Sequence, residues 1–134
     1  MTTTNVVDRV RTAAPYAVGA MFVGSSVLHV ARPAFFTPMV PRWLGSADAW
    51  VRGSAAAEAV VGLGLLTAQP WAGRAGAALL LGVWPGNLQM ALDASAGRAS
   101  GPTGNPVVAW ARMPLQVPLV WAALQSRPRR RVRR

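Results

Sequence analysis

Apolar residues fall into four long runs separated by short polar or proline-rich stretches. The runs cover 13–30, 53–69, 75–92 and 107–125, and none carries more than one charged side chain. At a rise of about 1.5 Å per residue each reaches most of the way across a hydrocarbon layer about 30 Å thick. Alanine, glycine and leucine dominate them without sustained alternation of apolar and polar residues, so the pattern predicts helices and not the strands of a barrel. The expected fold is an all-α transmembrane bundle of four antiparallel helices, a single domain over 1–134, with a long first loop and a basic tail over 126–134.

Composition strengthens that reading. The chain of 134 residues is 52% hydrophobic and 13% charged, about half the charge of an ordinary soluble domain, which carries roughly 25%. Its net charge of +10 is not arranged as a nucleic-acid surface. The arginines punctuate the apolar runs, and Arg127, Arg129, Arg130, Arg131, Arg133 and Arg134 crowd the C-terminus, where they read as a topology anchor for anionic headgroups. With four spans both termini share a side. Arg9, Arg11, Arg74 and the tail arginines fall there, against Arg32, Arg42, Arg52 and Arg98 opposite, nine against four; the asymmetry predicts cytoplasmic termini and a plasma-membrane or inner-membrane location. The first run also fits a signal peptide, but no small-x-small cleavage site follows it before Arg32, so a retained span is expected. No cysteine is present, which removes disulfides, thiolate chemistry and cysteine-based metal sites.

The connections differ. About five residues around Pro70 and Trp71 join the second and third runs, which predicts a tight helical hairpin. Between the first two runs lies a segment in which Phe35, Phe36, Met39, Val40, Trp43, Leu44 and Trp50 interleave with Pro33, Pro38 and Pro41. Prolines at that density prevent a long helix, so the segment reads as an interfacial aromatic belt or as a lid over the mouth of the bundle. The third connection, 93–106, is small, polar and flexible in composition. Gly62, Gly64 and the Gly82-x-x-x-Gly86 pair are expected to let helices approach closely.

Polar residues inside the runs are costly in lipid and mark sites to inspect. His29 ends the first run, while Glu58, Asn87 and Arg112 each lie about five residues inside the end on the same side, roughly 7–8 Å deep. Helical spacing adds Ser25, Ser26, Ser54, Trp84 and Gln116. Charge and matching depth predict a Glu58–Arg112 ion pair, because either charge buried alone costs several kcal/mol. His29, Glu58, Trp84, Asn87, Arg112 and Gln116 thus form a candidate polar pocket near the outer face, which serves either as hydrogen-bonded glue or as a ligand site. One His and one Glu are too few ligands for a metal, and no metal is expected.

The ordered set His29-x-x-x-Pro33, Met39-Val40-Pro41, Ser54-x-x-x-Glu58 with Gly62-Leu63-Gly64-Leu65-Leu66, Trp84-Pro85-Gly86-Asn87 with Met90, and Arg112-Met113-Pro114-Leu115-Gln116 resembles the DoxX-like family of small four-helix membrane proteins. It departs from the family pattern at Val30, where a Phe is frequent, at Ala55, where a Gly is frequent, and at Gly86, which interrupts a Pro-Ala-Asn. The resemblance implies the four-helix fold. It also implies two kinds of role: a quinone-linked membrane subunit, as in thiosulfate:quinone oxidoreductase, or a part of membrane assemblies connected with oxidative stress, thiol oxidation or receptor assembly. Two function classes follow. The chain is expected to be an accessory or binding subunit of a membrane assembly, with the bilayer and a protein partner or second copy as partners and no nucleic acid. The alternative is a quinone-binding subunit in which Arg112 and Asn87 donate to the head group, His29 or Glu58 relays protons and Trp84 lines the slot. Proton-assisted isomerisation of a lipid is a third and weaker reading.

Overall fold

The computed structural model describes residues 3–99, 101 and 104–126. Among them the chain is helical: α1 Thr3–Ala31, α2 Pro33–Phe36, α3 Ala47–Leu66, α4 Ala72–Gly82, α5 Trp84–Ser95 and α6 Pro106–Leu124, with 3-10 turns at Thr37–Met39 and Arg42–Leu44. Four stretches are long and apolar enough to cross a membrane: Asn5–Ala31, Ala47–Leu66, Ala72–Ser95 and Pro106–Leu124. The C-terminal arginine tract and its anchoring role lie outside the described residues.

Local chemistry sets the ends of these helices. α3 begins six residues before the run predicted from hydropathy because the Ser46 hydroxyl accepts from the Ala49 N–H, the usual N-cap geometry. It stops at Leu66 in a Schellman turn, with Ala68 N–H donating to Leu65 and Gln69 N–H to Gly64. That turn puts Ala68 at φ +54°, a left-handed position usually given to glycine. Asn105 caps α6, accepting from both Val107 and Val108, with Pro106 in the first turn where its missing N–H costs nothing.

The third apolar run is two helices and not one. Pro85 has no N–H to donate to Leu81 and its ring crowds the preceding turn, so the chain breaks at Val83 and restarts as α5. The break divides the labour: α4 packs on α3 and α6, while α5 packs on α6 and the Thr37–Met39 turn. α6 tolerates both Pro114 and Pro118 within a continuous helix.

Neighbour relations form a closed square: α1 packs on α3, α3 on α4, α4 on α6, and α6 on α1. α3 and α6 therefore stand on a diagonal. The α1–α3 side is the most extensive. A Cβ on Gly62 would sit 2.9 Å from the Gly19 carbonyl oxygen, and one on Gly19 would sit 3.0 Å from the Gly62 oxygen, so the two backbones touch. Along this side Gly19 meets Gly62, and Ser26 donates to the Ala55 carbonyl at 2.8 Å. The α4–α6 side is closed similarly at Gly73, where a Cβ would lie 2.8 Å from the Ala123 oxygen. Gly64 makes room for the Trp71 indole. Of the expected Gly82–Gly86 pair, Gly82 faces open space and Gly86 lies under the Met39 carbonyl oxygen; this pair serves the loop and not a helix–helix seam.

Two apolar clusters fill the bundle. One joins Val18 and Phe22 of α1 to Val61 and Leu65 of α3, Leu80 of α4 and Ala123 of α6. The second joins Met90, Ala91 and Ala94 of α5 to Ala109 of α6, with Met39 packed against it. The large apolar side chains that remain, such as Val27, Val60, Leu63, Leu81, Val107 and Val117, point outward and are more than half exposed. An outer surface of this kind suits lipid, not water.

Candidate functional site

The polar residues of the runs do not form one ring. Three of the six expected site residues are buried: His29 at 8% exposure, Glu58 at 6% and Gln116 at 7%. Asn87 is half-buried. Trp84 is 46% exposed and Arg112 is exposed, so neither lines an interior site.

His29 and Glu58 meet. His29 Nδ1 lies 3.3 Å from Glu58 Oε2 and 2.8 Å from the carbonyl oxygen of Ser25, one turn back. A carbonyl only accepts, so the Nδ1 hydrogen is directed to it and the carboxylate shares the same side of the ring. Ser25 Oγ lies 3.4 Å from Nδ1 and neighbours the Glu58 carboxyl group. Ser26, on the adjacent position of α1, ties the two helices together one turn earlier on α3 through its bond to Ala55.

The Glu58–Arg112 ion pair expected from the sequence does not form, and the reason is topological. Glu58 is on α3 and Arg112 on α6, the diagonal pair, whereas α1 packs directly against α3. Helix length adds to this: Glu58 is eleven residues into α3 but Arg112 only six into α6, so by helix rise the two differ in depth by about 7 Å.

Phe36 closes the site from the loop side. Its ring stacks on the His29 imidazole with centroids 3.5 Å apart and planes 15° from parallel, and Phe35 meets Phe36 edge-on at 5.3 Å. The segment between the first two spans thus lays Phe36 of α2 over His29, while Trp43 at 76% exposure and Trp50, at the start of α3, at 48% face outward, the latter held by its indole N–H donating to the Leu44 carbonyl.

Two buried acceptors stand without a hydrogen-bond donor among the described residues, Glu58 Oε2 and Gln116 Oε1. Gln116 lies on the α6 face that carries Ala109 seven residues before it and Ala123 seven after, so along this helix it separates the two apolar clusters. A cavity of about 80 Å³ is lined by Thr12, Pro15, Tyr16, Leu65, Ala68, Gln125 and Ser126. A wider groove of about 380 Å³ runs along the start of α1 from Asn5 to Tyr16. Both lie at the opposite end of α1 from His29, and none of the six candidate residues lines either. No group of three His, Cys, Asp or Glu is placed to hold a metal among the described residues.

Sequence reasoning overlooked a second polar knot at the end of α5. Asp93 accepts from Gln89 at 2.9 Å and from Arg98 at 2.8 Å. Nearby, the Trp110 indole donates to Ser95, which in turn donates to the Ala91 carbonyl, binding α5 to α6. The Gln89/Asp93 spacing of four was the available signal for the first contact; the second needed the third dimension.

These features describe a helical, membrane-embedded protein with a lidded polar contact between two of its helices. The chain belongs to the family described as "Domain of unknown function (DUF8561)", which matches residues 18–127. No curated protein and no solved structure matches it.

Proposed function

We propose that the chain is a four-pass protein of the plasma membrane, its helices antiparallel and both termini cytoplasmic, that acts as an accessory or binding subunit of a membrane assembly, in the manner of the DoxX-like proteins it resembles. The closed state of the polar layer carries this reading. His29 and Glu58 face each other at 3.3 Å beneath Phe36, so the layer is packed into the α1–α3 seam and leaves the lipid-facing helices and the aromatic loop as working surfaces. Buried polar contacts of this sort hold helices in register in lipid. The arginine asymmetry supports the orientation.

A second reading, a quinone-binding subunit, is favoured by one observation: Glu58 Oε2 and Gln116 Oε1 both lack a donor. Acceptors without donors call for a hydroxyl group, which the reduced form of a quinone head group supplies. Purification from native membranes in mild detergent, with cross-linking and solvent extraction on the same sample, separates the two. A stoichiometric protein partner without extracted quinone is the result expected. Quinone recovered from wild type and lost from Gln116→Leu, with no partner, would replace the binding-subunit reading with the second one.

A further inference from the structure

We infer that Arg112 is a binding site for the phosphate of an anionic phospholipid, in the leaflet on the side where α6 begins. Arg112 is six residues past Pro106, the first residue of α6, which places its Cα about 9 Å along the helix. It is exposed, on the helix whose apolar window is the least buried of the four, at 22%. A guanidinium cannot rest in hydrocarbon at that depth without a counter-charge, but an arginine side chain is long enough to return its head to the glycerol and phosphate level.

No side chain among the described residues supplies a counter-charge. Two arginines at the same end of the bundle are neutralised internally, Arg52 by Asp48 and Arg98 by Asp93, both at 2.8 Å. Arg112 has no ion pair among the described residues. The four acidic residues of the sequence are Asp8, Asp48, Glu58 and Asp93. Two are engaged with arginine, Glu58 is buried against His29, and Asp8 is near the far end of α1. A second copy docked through this face would therefore bring arginine to arginine, which disfavours a homodimer here.

The surroundings suit a lipid. Val108 and Leu115 share the outward stripe of Arg112 at helical spacings of four and three, and are 50% and 54% exposed. They offer an apolar track for an acyl chain beside the charge. Trp110, 44% exposed, is pinned by its bond to Ser95 and presents an amphipathic ring of the kind found at headgroup depth. The planar fork of arginine matches two phosphate oxygens at once, where an ammonium matches one.

The test uses the full chain reconstituted into nanodiscs of phosphatidylglycerol and phosphatidylcholine in equal parts, with retained lipids counted by native mass spectrometry. Wild type is expected to hold at least one more phosphatidylglycerol than Arg112→Gln, with the site's preference falling about fivefold on that substitution and Arg112→Lys keeping an intermediate preference. All three variants carry the same basic tail, so its nonspecific attraction cancels. Because Arg112 is exposed, Arg112→Gln is expected to fold, and the lysine variant reads the site even where it does not. Equal phosphatidylglycerol retention by wild type and Arg112→Gln would overturn the inference. So would a co-purifying protein cross-linked at α6 and lost on Arg112→Gln in either lipid, since the counter-charge would then be a partner's carboxylate.

Discussion

His29 on α1 and Glu58 on α3 face each other at 3.3 Å, both less than a tenth exposed, with the Phe36 ring laid over the imidazole. This contact joins three separate parts of the sequence: the end of the first span, the middle of the second, and the short helix of the loop between them. It is separated from the Gly19–Gly62 backbone contact on the same seam by nearly three turns along α1 and about one turn along α3. The α1–α3 pair is thus closed by sterics at one level and by polar groups at the next.

The glycine seam gives a contrast within one residue type. Gly62→Ala would place a methyl 2.9 Å from both the Gly19 oxygen and a Val23 methyl, and a loss of about 1–3 kcal/mol is expected from overpacking. Gly82→Ala meets nothing within 4 Å and ends α4, so it should be neutral or gain up to about 1 kcal/mol in helix propensity. Unfolding in detergent micelles of the two variants against wild type checks the ordering.

Ala68 holds a left-handed conformation at φ +54°. Ala68→Gly removes the clash of Cβ with the backbone and should stabilise the α3–α4 turn by up to about 1 kcal/mol, while Ala68→Val should destabilise it. The same unfolding assay reads both, and a loss with glycine would mean the methyl is worth more as packing than it costs as strain.

His29 is the single histidine of the chain, which makes its exposure simple to measure. Removing the stacked ring in Phe36→Ala should raise the rate of imidazole modification by diethyl pyrocarbonate several-fold, whereas Trp43→Ala, on the outward side of the loop, should leave it unchanged. Equal rates in wild type and Phe36→Ala would show that α2 does not cover the site.

Orientation can be read by cysteine labelling because the natural chain has no cysteine. Ala34→Cys on α2 and Ala96→Cys after α5 are both exposed and should react with an impermeant maleimide on intact cells. Gln69→Cys, exposed in the α3–α4 turn, should react only after permeabilisation. The reverse pattern would place the termini outside.

Hydropathy made the four helices legible because lipid demands long uncharged runs, but it misplaced their ends: α1 begins at Thr3, ten residues before the apolar run, and α3 at Ala47, six before it, where the Ser46 cap extends the helix past charged residues that hydropathy excludes. Pro85 was visible in the third run, but that it divides the helix at Val83 required knowing that α5 has a separate partner in the Thr37–Met39 turn. Glu58 was recognisable as a buried charge from its apolar surroundings. Its partner was not: depth along a helix can be counted from sequence, but which helices are adjacent and which diagonal cannot, and Arg112 stood on the diagonal. The Phe36 stack was equally hidden, since a proline-rich loop has no period from which the direction of its rings can be read.

The His29–Glu58 contact is tested most directly by a double-mutant cycle on unfolding of the reconstituted protein, using Glu58→Gln, His29→Gln and both together, with Arg112→Gln as the reference partner. Each of the first two should cost about 1–3 kcal/mol, and the double variant should cost less than their sum by about 1 kcal/mol, while Arg112→Gln should combine additively with Glu58→Gln. Additive losses for His29 and Glu58, or a coupling that appears between Glu58 and Arg112 instead, would contradict a polar layer closed on the α1–α3 seam.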